Sequence, residues 1–402
     1  MNIAFGFEIF YPEKNGIITA TIDLAKALIN KGHNVYFFIP DNGVIEGDTI
    51  EYGIKVCKLK GEKSKIYAGM LKYKYSYQEI ADKFKELNID VIHLLAPGRM
   101  AKLLSNAATI NNTCVVATHH TLMNRPVYVK YGVRLWTLAF LLSKASWRIL
   151  FDSFYKKTWV ITAPAYGTVD EIKAVYKKAD VRYASNGINI DKFNNKIDES
   201  LLDLSFINDE TFIFVGRVGL EKSIDKTVKA FKILLSKKPN AKLAIIGNGP
   251  YFKKLNKLIK KLNLENNVKL YGSVDNYKII NSGILKKCYA FVTASITENQ
   301  SMTVIEAMIS GLPVITADVP NMTKLVKEER GYFFKPKDIN DLALTMEKAL
   351  NDKNLRDKKA KECLKAINEF DANIVVDDYI KIYEDVLNNK KNGATYKSTG
   401  LR

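Results

Sequence analysis

Cysteine is scarce and scattered: Cys57, Cys114, Cys288 and Cys363 are the only four in 402 residues, with no short Cys–Cys or Cys–His spacing. That argues against a disulfide framework and a zinc motif, and for buried or idle thiols in a reducing compartment. Long apolar runs are absent, none reaching the roughly 20 residues a membrane-spanning helix needs. The amino terminus, MNIAFGFEIF, has neither a basic n-region nor a small-residue cleavage site. A signal peptide is therefore not expected, and a cytoplasmic protein is. Repeats and low-complexity tracts are missing too. Acid is in short supply relative to base: 43 Asp and Glu stand against 61 Lys and Arg, a net charge of +18. Such an excess calls for something anionic (lipid surface, nucleic acid or phosphorylated substrate) without choosing among them.

What is present reads as α/β. A length of 402 residues suggests two domains, and 47% hydrophobic with 26% charged residues is ordinary for such a chain. Strand Asn2–Phe7, helix Thr19–Asn30 and strand Val35–Ile39 predict a βαβ opening on a parallel sheet. One glycine, Gly16, stands between that strand and helix where a dinucleotide fingerprint has three. Gly16 either lets the backbone approach a ligand or is a plain loop glycine. Further strands are expected at Asp90–Leu95, Cys114–Thr118 and Trp159–Ala163. His119 and His120 follow the second of these, at the carboxyl end where parallel sheets place ligand contacts. His93 is expected to be structural and His33 a surface residue.

The second half is organised around Ala290–Leu312. A buried strand, Ala290–Ala294, opens into the loop Ser295–Ser301, and a helical pattern begins at Met302. Backbone N–H groups of Ser301, Met302 and Thr303 at that start form an anion site. Glu306, one turn in, and Glu298, in the loop, can reach hydroxyls on either side. A phosphate flanked by two such carboxylates suits a sugar nucleotide, while a strand–loop–helix unit with two solvated acids remains the plain alternative. Upstream, strand Thr211–Val215 leads into Gly216-Arg217, with Lys222 five residues after the arginine. Two cations near one helix start suit a leaving diphosphate. The turn Gly247-Asn248-Gly249-Pro250 lacks the third glycine of a dinucleotide site. Helices are expected at Asp338–Leu350, Leu355–Phe370 and Ala372–Leu387, and little structure at Asn194–Asp209.

Two stretches are unusual. Lys58–Tyr77 interleaves lysine with tyrosine. Arg125–Trp159 holds all three tryptophans and seven basic residues against one acid, Asp152. Apolar spacing with tryptophan and cations at its edges fits an interfacial membrane helix, although a helix packed on its own sheet has the same pattern.

Glu298 and Glu306, eight positions apart, resemble the Glu-(seven residues)-Glu motif of the retaining glycosyltransferases of family 4. The Gly-Arg…Lys segment, Thr118-His119-His120-Thr121 and the hinge-like Ser185-Asn186-Gly187-Ile188-Asn189 are similar to other segments of that family. The resemblance spans nearly the whole chain. It implies a GT-B fold, two doubly wound Rossmann-like domains with the active site in the cleft between them. Residues 1–185 would face acceptor and membrane, 186–371 would bind the nucleotide sugar, 372–388 would return to the first domain, and 389–402 would be a flexible tail. It further implies retaining, metal-independent transfer of a hexose, glucose from UDP-glucose as the best match, with no cofactor. His120, Glu298, Arg217 and Lys222 would be catalytic. Gly16, Gly249, Val274, Ser301, Met302, Thr303 and Glu306 would bind the donor. Within the family the chain looks most like diacylglycerol glucosyltransferases, peripheral on the inner face of the cell membrane. Lipid and membrane would be met through Lys58–Tyr77 and Arg125–Trp159. A soluble or polysaccharide acceptor is the alternative. A basic nucleic-acid-binding protein is a distant one, and no nucleic acid partner is expected.

Overall fold

The computed structural model describes residues 1–11, 15–63, 71–120 and 154–395. They divide into two units, Met1–Ile188 with the segment from Ala372 onward, and Asn189–Asp371.

The first unit is built on β1 (Asn2–Gly6), β2 (Asn34–Pro40), β3 (Thr49–Ile50), β4 (Ile54–Leu59), β7 (Val91–Leu94), β8 (Cys114–Thr118), β9 (Val160–Ala163) and β10 (Val181–Tyr183). Strands β5 (Gly61–Lys63) and β6 (Leu71–Tyr73) form a separate antiparallel pair. The sheet order is β10-β9-β8-β7-β1-β2-β4-β3, parallel except for the β3–β4 pair. Strands β1, β7 and β8 are near-continuous apolar runs because helices cover both of their faces. The first helix spans Gly16–Asn30, three residues earlier than its apolar spacing indicated, because Asn15 caps it and accepts the N–H groups of Ile17 and Ile18. Gly16 is thus the first helical residue. The last helix, Ala372–Lys391, packs Val375, Val376, Tyr379, Ile382, Tyr383 and Val386 into the same apolar cluster as Ile18, Ile22 and Leu28 of the first. At about 1.5–3 kcal/mol per buried large side chain, that seam is a major stabilising element of the unit.

Most of Arg125–Trp159 and the centre of Lys58–Tyr77 lie outside the described residues. At their edges the structure reassigns three aromatic residues: Trp159 is half-buried against the first unit's core, and Tyr73 and Tyr75 pack on its other face. Tyr77 is exposed.

The second unit is a parallel sheet of β11 (Thr211–Val215), β12 (Lys242–Ile246), β13 (Val268–Gly272), β14 (Ala290–Thr293), β15 (Val314–Ala317) and β16 (Gly331–Phe334), ordered β13-β12-β11-β14-β15-β16. The expected helix Leu355–Phe370 is two, Lys353–Leu364 and Ile367–Phe370. The Ala366 N–H reaches back only to the Cys363 carbonyl, a three-residue bond that tightens the turn and breaks the axis. Short 3₁₀ turns, Ile190–Phe193 and Glu199–Leu201, punctuate the segment before β11.

At the carboxyl end of this sheet the backbones after β11 and β12 nearly touch. Gly247 has φ +136°, and a Cβ there would lie 1.9 Å from the Gly216 carbonyl oxygen. Neither the backbone conformation nor the contact can relax cheaply. Gly247→Ala is therefore expected to cost about 3 kcal/mol or more, read as a lowered urea midpoint with an unchanged slope. A loss under about 1 kcal/mol would show that these loops are not locked together.

Candidate active site

Strands β11 and β14 are neighbours, and the sheet order reverses between them. A crevice opens at the carboxyl ends of such strands because their crossover helices depart to opposite faces. After β11 the chain runs through Gly216–Gly219 and a 3₁₀ turn, Leu220–Lys222, into helix Ile224–Leu235. Ser223 joins the two in the left-handed conformation, φ +50°, that glycine adopts without strain. Arg217 Nη2 donates to Glu221 Oε1 at 2.6 Å. Glu221 is buried, and its carboxylate lies where a Cβ on Gly219 would come within 2.3 Å, so glycine leaves it room.

Lys222 Nζ donates to Glu298 Oε1 at 2.7 Å, joining the loop after β11 to the loop after β14. The Ser295 hydroxyl donates to the Glu221 carbonyl at 3.2 Å, and Asn321 Nδ2 to the Glu298 carbonyl at 3.1 Å. Burial pushes the Glu298 carboxyl up. The Lys222 ammonium, aided by Ser295, more than reverses this and holds it below the usual glutamate value. Glu298 is therefore a carboxylate at neutral pH, with Oε1 engaged by the Lys222 cation.

Helix Met302–Ile309 follows, with Ser301 at its N-cap position and no side chain capping its start. The Ser301 and Thr303 hydroxyls lie 3.3 Å apart at that end. Glu306 is buried one turn in and accepts from Asn276 Nδ2 at 3.0 Å. Val274 sits half-buried just after β13. Gly249 is wedged beside the loop after β11: a Cβ there would meet the Val218 carbonyl at 2.6 Å. So Arg217, Lys222, Gly249, Val274, Glu298, Ser301, Met302, Thr303 and Glu306 all fall on loops or helix starts beyond the carboxyl ends of this one sheet.

Gly16 and His120 belong to the first unit. His120 lines a small cavity with Thr21, His93, Thr118, Asn186 and Tyr379. Burial lowers its pKa to about 3, with His119 adding to the effect, so its imidazole is neutral at physiological pH. It can donate or accept a hydrogen bond but carries no charge. His119 is buried against the Tyr155 hydroxyl. His93 is structural, as its strand position implied: Nδ1 lies 2.7 Å from the Tyr383 hydroxyl and Nε2 2.6 Å from Thr118 Oγ1.

Three residues of the arrangement escaped the sequence reading. Glu221 had a local signal, standing four residues after Arg217. Asn276 had none, since its partner is 30 positions away. Glu8, just after β1, accepts the Ala101 N–H at 2.9 Å and so caps helix Arg99–Ile110, with Gly98 leaving room for its carboxyl. Burial pushes the Glu8 carboxyl up to about 7, against the lowering effect of these amides and Arg99.

Among the described residues no three His, Cys, Asp or Glu side chains gather as a metal-ligand set, and no helix is long and apolar enough to cross a membrane.

Two family models tile the chain: Glycosyltransferase Family 4 over residues 14–192 and Glycosyl transferases group 1 over residues 202–365. Alpha-monoglucosyldiacylglycerol synthase of Acholeplasma laidlawii is 27% identical over 326 residues, 78% of this chain and 80% of that protein. Sulfoquinovosyl transferase SQD2 of Arabidopsis thaliana is 28% identical over 296 residues, 70% of this chain but only 54% of its own length. Among solved structures, HepE of Anabaena in complex with UDP-glucose superposes with a TM-score of 0.74 at 17% identity, over 96% of this chain and 100% of that one. A likeness at that identity carries the fold. Two parallel-sheet units, each beneath its own family match, make this chain a glycosyltransferase of family 4 with the GT-B fold.

Proposed function

We propose that the chain transfers glucose from UDP-glucose to a hydroxyl of a membrane lipid, diacylglycerol being the best candidate, with retention of configuration and without a bound metal. The observation that carries the donor half is the Lys222–Glu298 pair beside the uncapped start of helix Met302–Ile309. Amides of Ser301, Met302 and Thr303 hold the diphosphate. Arg217 and Lys222 offset the charge that grows on it as it leaves. Glu306, oriented by Asn276, takes the ribose hydroxyls, and the second oxygen of Glu298 takes a sugar hydroxyl. Gly249 and Val274 line the nucleotide. On the first unit, Gly16 admits the donor phosphate and neutral His120 hydrogen-bonds the sugar near the reacting carbon. No side chain stands out as a nucleophile. The acceptor oxygen bonds to the anomeric carbon on the face the phosphate leaves, and its proton passes to the departing phosphate oxygen.

The lipid half is supported by the alpha-monoglucosyldiacylglycerol synthase relative, by the net charge of +18 and by the basic aromatic stretches Lys58–Tyr77 and Arg125–Trp159. The glucose donor is supported by the UDP-glucose held in the similar HepE fold. The reading places the protein on the inner face of the membrane and asks for no nucleic acid.

The test is transfer of labelled glucose from UDP-glucose to vesicles with and without diacylglycerol and an anionic lipid. Glycolipid formed only with diacylglycerol, and more of it with anionic lipid, is the expected result. Tight UDP binding with no lipid product would overturn the acceptor. Arg217→Ala is expected to lower kcat roughly a hundredfold with little change in KM, since its partner charge grows in the transition state. A raised KM at unchanged kcat would make Arg217 a ground-state binding residue instead.

A further inference from the structure

From Lys226 to Leu264 the sequence holds eleven lysines and no aspartate, glutamate or arginine, against a net charge of +18 for the whole chain. This segment builds helix Ile224–Leu235, strand β12 and helix Phe252–Lys261, and the two helices lie side by side. Helix Phe252–Lys261 is sharply two-sided. Leu255 and Ile259 are buried, with Phe252 and Leu258 half-buried beside them. Lys253, Lys254, Lys257, Lys260 and Lys261 are all exposed. At roughly 100° per residue these five fall within about 120° of one another on the helix, opposite the apolar stripe.

Several other lysines of the unit are matched: Lys229 with Asp225, Lys237 with Glu347, Lys269 with Asp203 and Lys287 with Glu199. Among the described residues none of the five helix lysines forms an ion pair. Lys232 and Ile233 of the neighbouring helix are exposed as well. Five like charges on one turn-to-turn strip repel one another.

We infer that this face of the second unit docks on an anionic lipid bilayer, as a surface distinct from the basic stretches of the first unit and from the donor site. Its chemistry favours a diffuse charged plane over a nucleic acid. Lysines are compact point charges on long apolar stems, whereas planar, bidentate phosphate recognition favours arginine, which the segment lacks. A single-strand groove would also need exposed aromatic platforms among the cations, and the lysine strip presents none. Polybasic strips gain from a negative membrane surface additively and lose that gain to salt. The inference stands apart from the acceptor reading, because it concerns binding and not the transferred sugar.

The experiment is flotation of the full chain with vesicles of phosphatidylcholine alone or mixed with phosphatidylglycerol, across a salt series. The wild type is compared with a variant carrying Lys253→Gln, Lys254→Gln, Lys257→Gln, Lys260→Gln and Lys261→Gln, and with the same five positions changed to arginine. UDP binding serves as the control for folding. The glutamine variant is expected to bind UDP normally and to lose roughly tenfold or more of its partition onto anionic vesicles at low salt, while the arginine variant keeps it. Partition of the glutamine variant equal to wild type overturns the inference, as does a wild type that ignores anionic vesicles. A loss confined to single-stranded oligonucleotide, with vesicle binding intact, would identify nucleic acid as the occupant and likewise overturn it. Glycolipid synthesis that fails while this flotation pattern holds would sink only the acceptor.

Discussion

Lys222→Ala is expected to cost both activity and stability, with the stability loss growing as pH rises. In the native protein Lys222 and Glu298 are largely removed from water, their side chains 24% and 11% exposed. Truncating the lysine leaves a buried carboxylate without its cation. Breaking such a pair costs about 3–5 kcal/mol, far more than the intact pair contributes over an apolar replacement. Burial, the largest influence on Glu298, is then opposed only by Ser295 and moves its pKa above the unfolded value. A group shifted upward is stabilising only while protonated, so the penalty is small below about pH 4.5 and grows through neutrality. In the wild type the shift is downward, and that contribution is present above the unfolded pKa and lost on acidification. The two effects add in the difference between the proteins. Urea titrations at about pH 5 and pH 8 should therefore show a deficit near 3 kcal/mol at the higher pH and much less at the lower. Adding Glu298→Gln removes the stranded charge and should recover most of the stability. It should not recover catalysis, which is expected to fall roughly 10²–10³-fold in both variants because the cation that the proposed function sets against the leaving diphosphate is gone. Equal deficits at both pH values, or activity restored along with stability, would show that the pair has no role beyond packing.

The parts of this molecule legible in its sequence are those whose cause is local. Strands β1, β8 and β14 announce themselves as short apolar runs, since a parallel strand covered on both faces needs nothing else. Glu298 and Glu306 could be placed because one loop and one helix turn carry both. The edge strands β10 and β16 could not, as three or four residues of mixed character give no periodicity. The start of the first helix was obscured by Gly16 and two isoleucines, weak helix formers that Asn15 overrides by capping them. Arg217 and Lys222 were readable as cations, but not their engagement. The carboxylates that hold them reflect how the loops after β11 and β14 fold together. Asn276 behind Glu306, and Glu8 beneath helix Arg99–Ile110, depend on contacts across dozens of residues, which no spacing rule encodes. Long-range hydrogen bonds are where reading by pattern ends.

Acidification supplies the second large effect, and here opposing groups must be weighed. His93 and His119 are 1% and 2% exposed, and burial lowers their pKa values to about 3 and about 4. A histidine depressed below its unfolded value of 6.5 contributes stability that is intact above pH 6.5 and lost as pH falls toward the folded value. By pH 5 each costs about 2 kcal/mol, about 4 kcal/mol for the two. His120 acts in the same direction. Glu8 acts against them. Its folded pKa of about 7 lies above the unfolded value, so its protonation strengthens the fold as pH falls from neutrality. Over the same interval that returns about 2 kcal/mol. The histidines win, and the protein should lose about 2 kcal/mol or more between pH 7.5 and pH 5. Glu8→Gln removes the opposing group and should steepen the decline. His93→Gln should flatten it, since Tyr383 and Thr118 would no longer face a ring that must stay neutral. Urea unfolding of the three proteins across this range decides the matter. If the wild type and both variants decline in parallel, the imidazoles are not titrating with folding, and a cation at His120 would have to be admitted into the chemistry of the site.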